Sequence, residues 1–535
     1  MIKPSDLGLP FPEWRQYQLD AIIQVDNTQA KYILLEAPTG CGKSGIAVGL
    51  ARLSGADSTA VVCHTLQLQD QYLQIDGLHT VKGRNNFPCL IQDSTAGDAP
   101  CTISGPMKCT KYHDCPYYVQ LARGLAAQVS VHNYAYWLPS ANYQKRFTDL
   151  NLLVLDECHL LEDQLRKFVQ VELSSWSLKS VGLSLPDYGN DIGRWRVWAD
   201  ESASMFRAEA NEAYDFDKLT KPQVVEIQRV RAIHDKLDTL SRRLEDDWLV
   251  EHIGQSHVFR PVWVTQFGHQ YVFRHAEKIL MMSATILDAE HFCAGLGIPA
   301  KEAAFFRLPS TFPKRQRPII FRPATKVGQK STTQDSQMLV NAVDRILEAH
   351  STEKGLIHTT NYNIAALLTT TCRNKQRLVT HDTKGRGTAL DAFKQSNVPL
   401  VLVSPSMQTG VDLPYDLCRF IIVAKLPFPN KGDEQVKRRM SLGPDGLPNK
   451  RGQSWYMWQT ACTLVQSVGR GMRAPDDACV SYIVDGHFRW FKQAVRGMLP
   501  SWFTEVLKEE VDTSGVVAQI RQMSINMLGE EEEPF

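Results

Sequence analysis

Short apolar runs recur along the chain and alternate with stretches of helical period. Lys31–Leu35 reads as a buried strand that runs into a glycine-rich turn, with a helix following from about Ser44. Strands also fit Ala60–Cys63 and Leu152–Leu155. A second series begins near Pro318, with strands fitting Gly355–His358, Leu400–Ser404, Phe420–Ala424 and Ser481–Val484. Apolar runs without polar alternation suit strands covered on both faces, and interleaved helices supply that cover. The pattern therefore predicts an α/β protein built on parallel sheets wrapped by helices, in two units. Two stretches break the rhythm. Residues 87–118 are rich in Cys, Pro, Asp and Lys and poor in aliphatic side chains, which predicts an insertion held by something other than a core. Within 165–264, Ile227, Val230, Ile233, Leu237, Leu240 and Leu244 recur at spacings of three and four, one apolar stripe of a packing helix. A helical insertion is expected there.

Composition narrows the function classes. The 535 residues leave room for about three or four domains. The net charge of +1 means that any nucleic-acid site must come from local clustering of charge. No apolar run approaches a membrane span, and the opening MIKPSDLGLP lacks a charged segment followed by an apolar one. These features point to the cytoplasm, or the nucleus in a eukaryote, with no membrane partner. In a reducing compartment the 12 cysteines are not expected to form a disulfide framework, and Cys63, Cys293, Cys372, Cys418, Cys462 and Cys479 read as small core residues.

Three segments carry chemistry. Ala37–Ser44 reads APTGCGKS between a strand and a helix. Glycines let backbone N–H groups wrap a phosphate, and the helix N-terminus adds partial positive charge. Thr39, Gly40 and Gly42 shape the loop, Lys43 supplies a point charge for the β- and γ-phosphates, and Ser44 offers a hydroxyl to Mg²⁺. Asn151–His159 reads NLLVLDECH, a buried strand ending in two acids. By itself such a pair can simply start a helix. Downstream of a phosphate loop, Asp156 is expected to hold Mg²⁺, Glu157 to polarise the attacking water as general base, and His159 to link this site to its neighbours. Gln466–Arg473 reads QSVGRGMR, and on a helix Arg470 and Arg473 would share a face as arginine-finger candidates. Some 300 residues separate this motif from Glu157, so it serves ATP only if two lobes face each other. Ser283-Ala284-Thr285 and Gly410-Val411-Asp412 follow apolar runs and add weaker support.

The order of these motifs resembles the XPD/DinG-type (Rad3-like) family of superfamily 2 iron–sulfur DNA helicases over nearly the whole chain. Arg15 and Gln18 in FPEWRQYQ look like an adenine-reading Q motif. CHTLQLQDQ looks like motif Ia, DECH like the DEAH box, MMSATILD like motif III, VSPSMQTGVDLP like motif V with Gly410 and Asp412 at the nucleotide, and QSVGRGMR like motif VI. KGRNNFPC and VHNYAYWL resemble the entry to and exit from the family's metal domain. Departures are small: Cys158 stands for the usual alanine and Ala37 for glycine. The resemblance implies two RecA-like motor domains. The first comprises residues 1–86, 119–164 and 265–314, interrupted by an iron–sulfur insertion at 87–118 and a helical arch-like insertion at 165–264. The second spans 315–520, before an acidic tail at 521–535.

Cys89, Cys101, Cys109 and Cys115 lie within one insertion. Their spacing alone leaves an iron–sulfur cluster, zinc and free thiols open; the resemblance implies a [4Fe–4S] cluster. Lys82, Arg84, Lys108, Lys111 and His113, with Phe87, Tyr112, Tyr117 and Tyr118 interleaved, either bind a single strand or are ordinary surface charges and packing rings. The function expected is an ATP- and Mg²⁺-dependent helicase acting on single-stranded DNA and duplex junctions. The 5′→3′ polarity comes wholly from the resemblance. The alternatives are a translocase that displaces proteins or acts on RNA, and a non-enzymatic ATP-gated module.

Overall fold

The computed structural model describes residues 2–328, 331–382, 385–406, 413–445, 451–472, 476–509 and 518. In chain order the strands of the first half are β1 (Tyr32–Glu36), β2 (Thr59–Cys63), β3 (Leu78–Thr80), β4 (Val129–Asn133), β5 (Leu150–Asp156), β6 (Val171–Ser174), β7 (Trp248–Ile253), β8 (Ser256–Pro261), β9 (Ala276–Ser283) and β10 (Ala303–Arg307). Those of the second half are β11 (Ile319–Thr325), β12 (Gly355–His358), β13 (Leu378–Thr380), β14 (Val401–Ser404), β15 (Phe420–Val423), β16 (Val480–Asp485) and β17 (Leu507–Glu509). All of these but β6–β8 form two parallel sheets, ordered β10-β1-β9-β5-β2-β4-β3 and β13-β14-β12-β15-β16-β11-β17. Every residue of β1, β2, β12, β14 and β15 is buried, as their uninterrupted apolar character requires.

Sheet order does the positioning. β1, β9, β5 and β2 are consecutive neighbours, so their C-terminal ends lie side by side along one edge. The segments that leave those ends are the phosphate loop, Ser283–Thr285, Asp156–Glu157 and the helix Leu66–Tyr72. In α/β sheets this edge is where ligands bind.

The segment 165–264 is more than a helical insertion. It holds the helices Ile192–Ala210 and Lys221–Arg243, packed on each other, and an antiparallel sheet β6-β8-β7. The stripe from Ile227 to Leu240 is buried as its period predicts, and Leu244 caps the helix end. Residues 87–118 do not form an isolated unit either. Ala96, Ala99, Cys101, Cys115, Tyr117 and Tyr118 join the apolar core of the first lobe.

A second contact ties the halves together away from the sheet edge. Arg439 of the helix Glu434–Ser441 is buried between the rings of Trp263 and Trp455, 4.4 and 5.1 Å from their centroids. It pairs with Glu162 and donates from Nε to the Val262 carbonyl at 2.7 Å. Gln435 donates to the carbonyls of Pro261 and Val262, both at 3.1 Å. A desolvated guanidinium needs this many partners to be tolerated.

His132, on β4, is fully enclosed and its ring stands against Phe147, at 4.2 Å between centroids, and Tyr136. Neither ring nitrogen has a hydrogen-bond partner, and burial pushes its pKa from 6.5 down to about 3. The unfolded chain therefore takes up a proton near pH 6.5 that the folded chain refuses until about pH 3. Stability is full above the upper value and declines as pH falls through that window. Urea unfolding at pH 5.5 should show about 1 kcal/mol less stability than at pH 7 from this group. His132→Leu should flatten that part of the slope; an unchanged slope would remove His132 as its source.

Candidate active site

The phosphate loop turns on two glycines with left-handed backbone, Gly40 and Gly42, both at φ +79°. Their lack of a side chain is also a packing requirement. A Cβ on Gly40 would stand 2.2 Å from the Phe312 ring, and one on Gly42 would stand 2.1 Å from Gln18 Nε2. Arg15 and Gln18 grip this loop: Gln18 Nε2 donates to the Gly42 carbonyl at 3.0 Å, and Arg15 donates to the Gly40 carbonyl. The Arg15 backbone N–H donates to Gln18 Oε1 at 2.7 Å, which fixes that amide. A cavity of about 480 Å³ opens here, lined by Phe11, Arg15, Gln18, Lys43, Ser44 and Glu157 among others.

Asp156 and Glu157 follow β5 directly. Glu157 is left-handed at φ 52°, which turns its carboxylate away from that of Asp156 and into the cleft. Asp156 is buried; it accepts from Tyr72 Oη at 2.9 Å and from the Glu157 backbone N–H at 2.9 Å. Burial, and then the neighbouring Glu157 charge, push the Asp156 pKa up. A divalent cation would remove that penalty, so the donor set suits Mg²⁺ at Asp156 and Ser44. Enclosure alone would raise Glu157 as well. Lys43, 3.6 Å away, His159, 3.3 Å away, and Arg470 outweigh it and hold this carboxylate well below its usual range. Glu157 is thus an anion at neutral pH.

From Glu157 a chain of polar contacts crosses to the second lobe. His159 Nδ1 lies 2.9 Å from Ser283 Oγ, which accepts from the Thr285 backbone N–H at 3.1 Å. Gln466 Nε2 donates to Thr285 Oγ1 at 2.8 Å. Trp458 Nε1 donates to the Ile286 carbonyl at 2.9 Å alongside it. Thr39, Glu157, His159, Thr285, Gln466 and Arg470 share a cavity of about 410 Å³ between the lobes.

Arg470 does not stand on an α-helical face: the helix that begins at Arg451 ends at Val468, and Gly469–Gly471 form a tight 3₁₀ turn. The turn is demanded by packing: a Cβ on Gly471 would stand 2.2 Å from Cys479 Sγ. Arg473, Gly410 and Asp412, and nearly all of the acidic tail, lie outside the described residues. Tyr72 and Phe312 were missed in the sequence. Tyr72 ends a helix with no periodic signal, and Phe312 stands in the proline-flanked connection between the lobes.

In the cysteine-rich insertion, Cys101 and Cys115 are buried and Cys89 and Cys109 half-buried. Burial and then the other three thiols raise the Cys109 pKa, so those sulfurs lie close enough to act on it through space. Among the described residues no group of three or more His, Cys, Asp or Glu forms a metal-ion cage. Arg84 does not face solvent phosphate. It donates to Tyr118 Oη at 2.7 Å, approaches Cys101 Sγ at 3.6 Å, and covers the Tyr117 and Tyr118 rings. Tyr117 and Tyr118 are packing rings rather than an open base-stacking surface. Among the described residues, no helix is long and apolar enough to cross a membrane.

Two parallel lobes, with a phosphate loop and an acidic strand end on one and an arginine-bearing turn on the other, define a superfamily 2 motor. Residues 11–184 match the profile of the type III restriction enzyme res subunit, and residues 345–506 match a helicase C-terminal domain profile. The ATP-dependent DNA helicase YoaA of Escherichia coli is 23% identical, over 89% of this chain and 91% of its own length. The ATP-dependent DNA helicase CHL1 of Saccharomyces cerevisiae is 26% identical over 28% of this chain, which spans 19% of that protein. A solved XPD helicase covers 93% of this chain and superposes with a TM-score of 0.61 at 15% identity, a likeness of fold. The chain belongs to the XPD/DinG-type family of superfamily 2 helicases.

Because Gly42 has no room for a side chain, Gly42→Ala should displace Gln18 and strain the loop by about 1–2 kcal/mol. Titration with a fluorescent ATP analogue should show roughly ten-fold weaker binding with unchanged far-UV circular dichroism. Wild-type affinity would mean that the loop rearranges freely.

Proposed function

We propose that the chain is an ATP-dependent DNA helicase that moves along single-stranded DNA in the 5′→3′ direction and hydrolyses ATP between its lobes. The observation that carries this reading is the unbroken path Glu157–His159–Ser283–Thr285–Gln466, which joins a half-buried anionic base to the opposite lobe. Thr39, Gly40 and Gly42 cradle phosphate oxygens, and Lys43 neutralises the β- and γ-phosphates. Arg15 and Gln18 flank the cavity where the adenine sits. Ser44 and Asp156 would hold Mg²⁺, which supplies charge neutralisation between phosphate oxygens. Glu157 takes the proton of the attacking water, and the charges that depress its pKa also orient it. Arg470, with Arg473, stabilises charge developing on the γ-phosphate. Gly410 and Asp412 complete the nucleotide site from the second lobe. Gln466 and Thr285 tie the state of the phosphates to the separation of the lobes, which turns hydrolysis into stepping. The named activity of the bacterial and yeast relatives agrees with this reading.

Cys89, Cys101, Cys109 and Cys115 would hold a [4Fe–4S] cluster, which ties a core-poor insertion together. The proximity of the other three thiols to Cys109 and the donors directed at Cys101 support that assignment. The insertion and the arch-like segment 165–264 then flank the first lobe where a duplex is parted.

Glu157→Gln should lower ATP turnover by at least about 10²-fold while retaining nucleotide binding. In the wild type, a duplex with a 5′ single-stranded tail should be unwound and its 3′-tailed counterpart left intact. Normal turnover in the variant would overturn the assignment of the base; unwinding from the 3′ tail would overturn the polarity. Cys109→Ser should bleach the visible absorbance of protein purified without oxygen and reduce unwinding more than ATP turnover. Unchanged absorbance would remove Cys109 from the ligand set.

A further inference from the structure

β15 and β16 are hydrogen-bonded neighbours, and the segments that leave their C-terminal ends carry Phe428 and Trp490. Buried Asp485 holds both segments in place. It accepts from the Leu426 backbone N–H at 2.9 Å and from the His487 backbone N–H at 3.0 Å. Phe428 is thereby stacked on Trp490, with centroids 6.0 Å apart and planes 9° from parallel. It is also stacked on Tyr456, at 5.7 Å and 12°. Three rings thus share nearly one orientation. Tyr456 is buried, whereas Trp490 is 44% exposed. Large exposed indoles are uncommon, and this one is held rigid by the rings beneath it.

Cations lie nearby. Lys431 Nζ sits 5.1 Å from the Tyr456 ring centroid, and exposed Arg489 and Arg496 precede and follow Trp490 in sequence. Pro427 and Pro429, on either side of Phe428, line a cavity of about 480 Å³ between the lobes. That cavity carries Arg166 and Arg260 together with Asp163 and Asp433, and reaches His159 and Gln466. A flat, part-exposed ring with cations near it, stacked on a segment that borders an inter-lobe cavity, matches a nucleobase with phosphates on either side.

We propose that Trp490 is a base-stacking platform on the second lobe, which holds one unpaired nucleotide of a single strand as that strand leaves the inter-lobe channel. This rests on the helicase reading and adds a defined contact to it. The order of elements gives the platform a mechanical role: Tyr456 lies on the same helix as Gln466, so the stacked base and the inter-lobe hydrogen bond share one rigid support.

The test uses the full chain and a fluorescein-labelled oligo-dT long enough to cross both lobes, together with a set of the same oligonucleotides each carrying one abasic site. Trp490→Ala should weaken binding about ten-fold, in the range of one base–aromatic stack, while Trp490→Phe should stay within about three-fold of wild type. One abasic position should weaken binding to the wild type and leave Trp490→Ala unaffected. A fold defect in Trp490→Ala would weaken all positions alike and would not be rescued by phenylalanine. If Trp490→Ala binds as tightly as wild type, or keeps the wild-type abasic profile, the platform is overturned while the helicase reading stands. That result would assign the exposed face to a protein contact. If the wild type itself fails to bind single strands, the helicase reading falls with it.

Discussion

Two adjacent carboxylates in an enclosed site are the constraint around which the first lobe is arranged. Asp156 and Glu157 repel each other and are both removed from bulk water, a combination that in isolation would leave one protonated. The structure separates their fates. The backbone at Glu157 adopts a left-handed turn, so the two side chains point to different partners. Asp156 is left with a phenol and an amide, neutral donors that suit a residue awaiting a cation. Lys43 acts on both carboxylates, but Glu157 also has His159 and, from the other lobe, Arg470. Two consecutive residues of the same chemical type are thus distinguished by environment alone.

The same arrangement explains why the lobes act together. Glu157 feels Arg470 through space and Gln466 through His159, Ser283 and Thr285. Each link is a short polar contact between side chains fixed at strand or helix ends. Such groups shift together or not at all, because each sits in a packed surround with few alternative rotamers. The Arg439–Glu162 pair adds a second point of attachment, made through the helix Leu161–Val169 that follows Glu157.

Much of the fold was legible because parallel strands covered on both faces leave an unmistakable apolar run. Strand positions around Ile33, Val61, Val154, Ile357, Val403 and Ile421 follow directly from it. The antiparallel sheet β6-β8-β7 escaped because Glu172, Glu251 and Arg260 interrupt any apolar pattern. The phosphate loop and the acidic pair were legible because their chemistry needs adjacent residues. Tyr72, Phe312 and the Gln18 grip were not, since each matters through a partner distant in sequence. Arg470 stands outside the helix for a local reason: two glycines in three residues follow the helix end at Val468.

Phe312 belongs to the connection between the lobes, yet its ring is buried in the core of the second and abuts Gly40 of the first. The phosphate loop and the inter-lobe connection are therefore not free to diverge separately. A lineage that enlarged residue 40 would first have to shrink residue 312, and a grafted loop from a distant motor would arrive without its matching ring. The joint has inherited the status of a paired locus, in which drift at either position is legible only when both are read together.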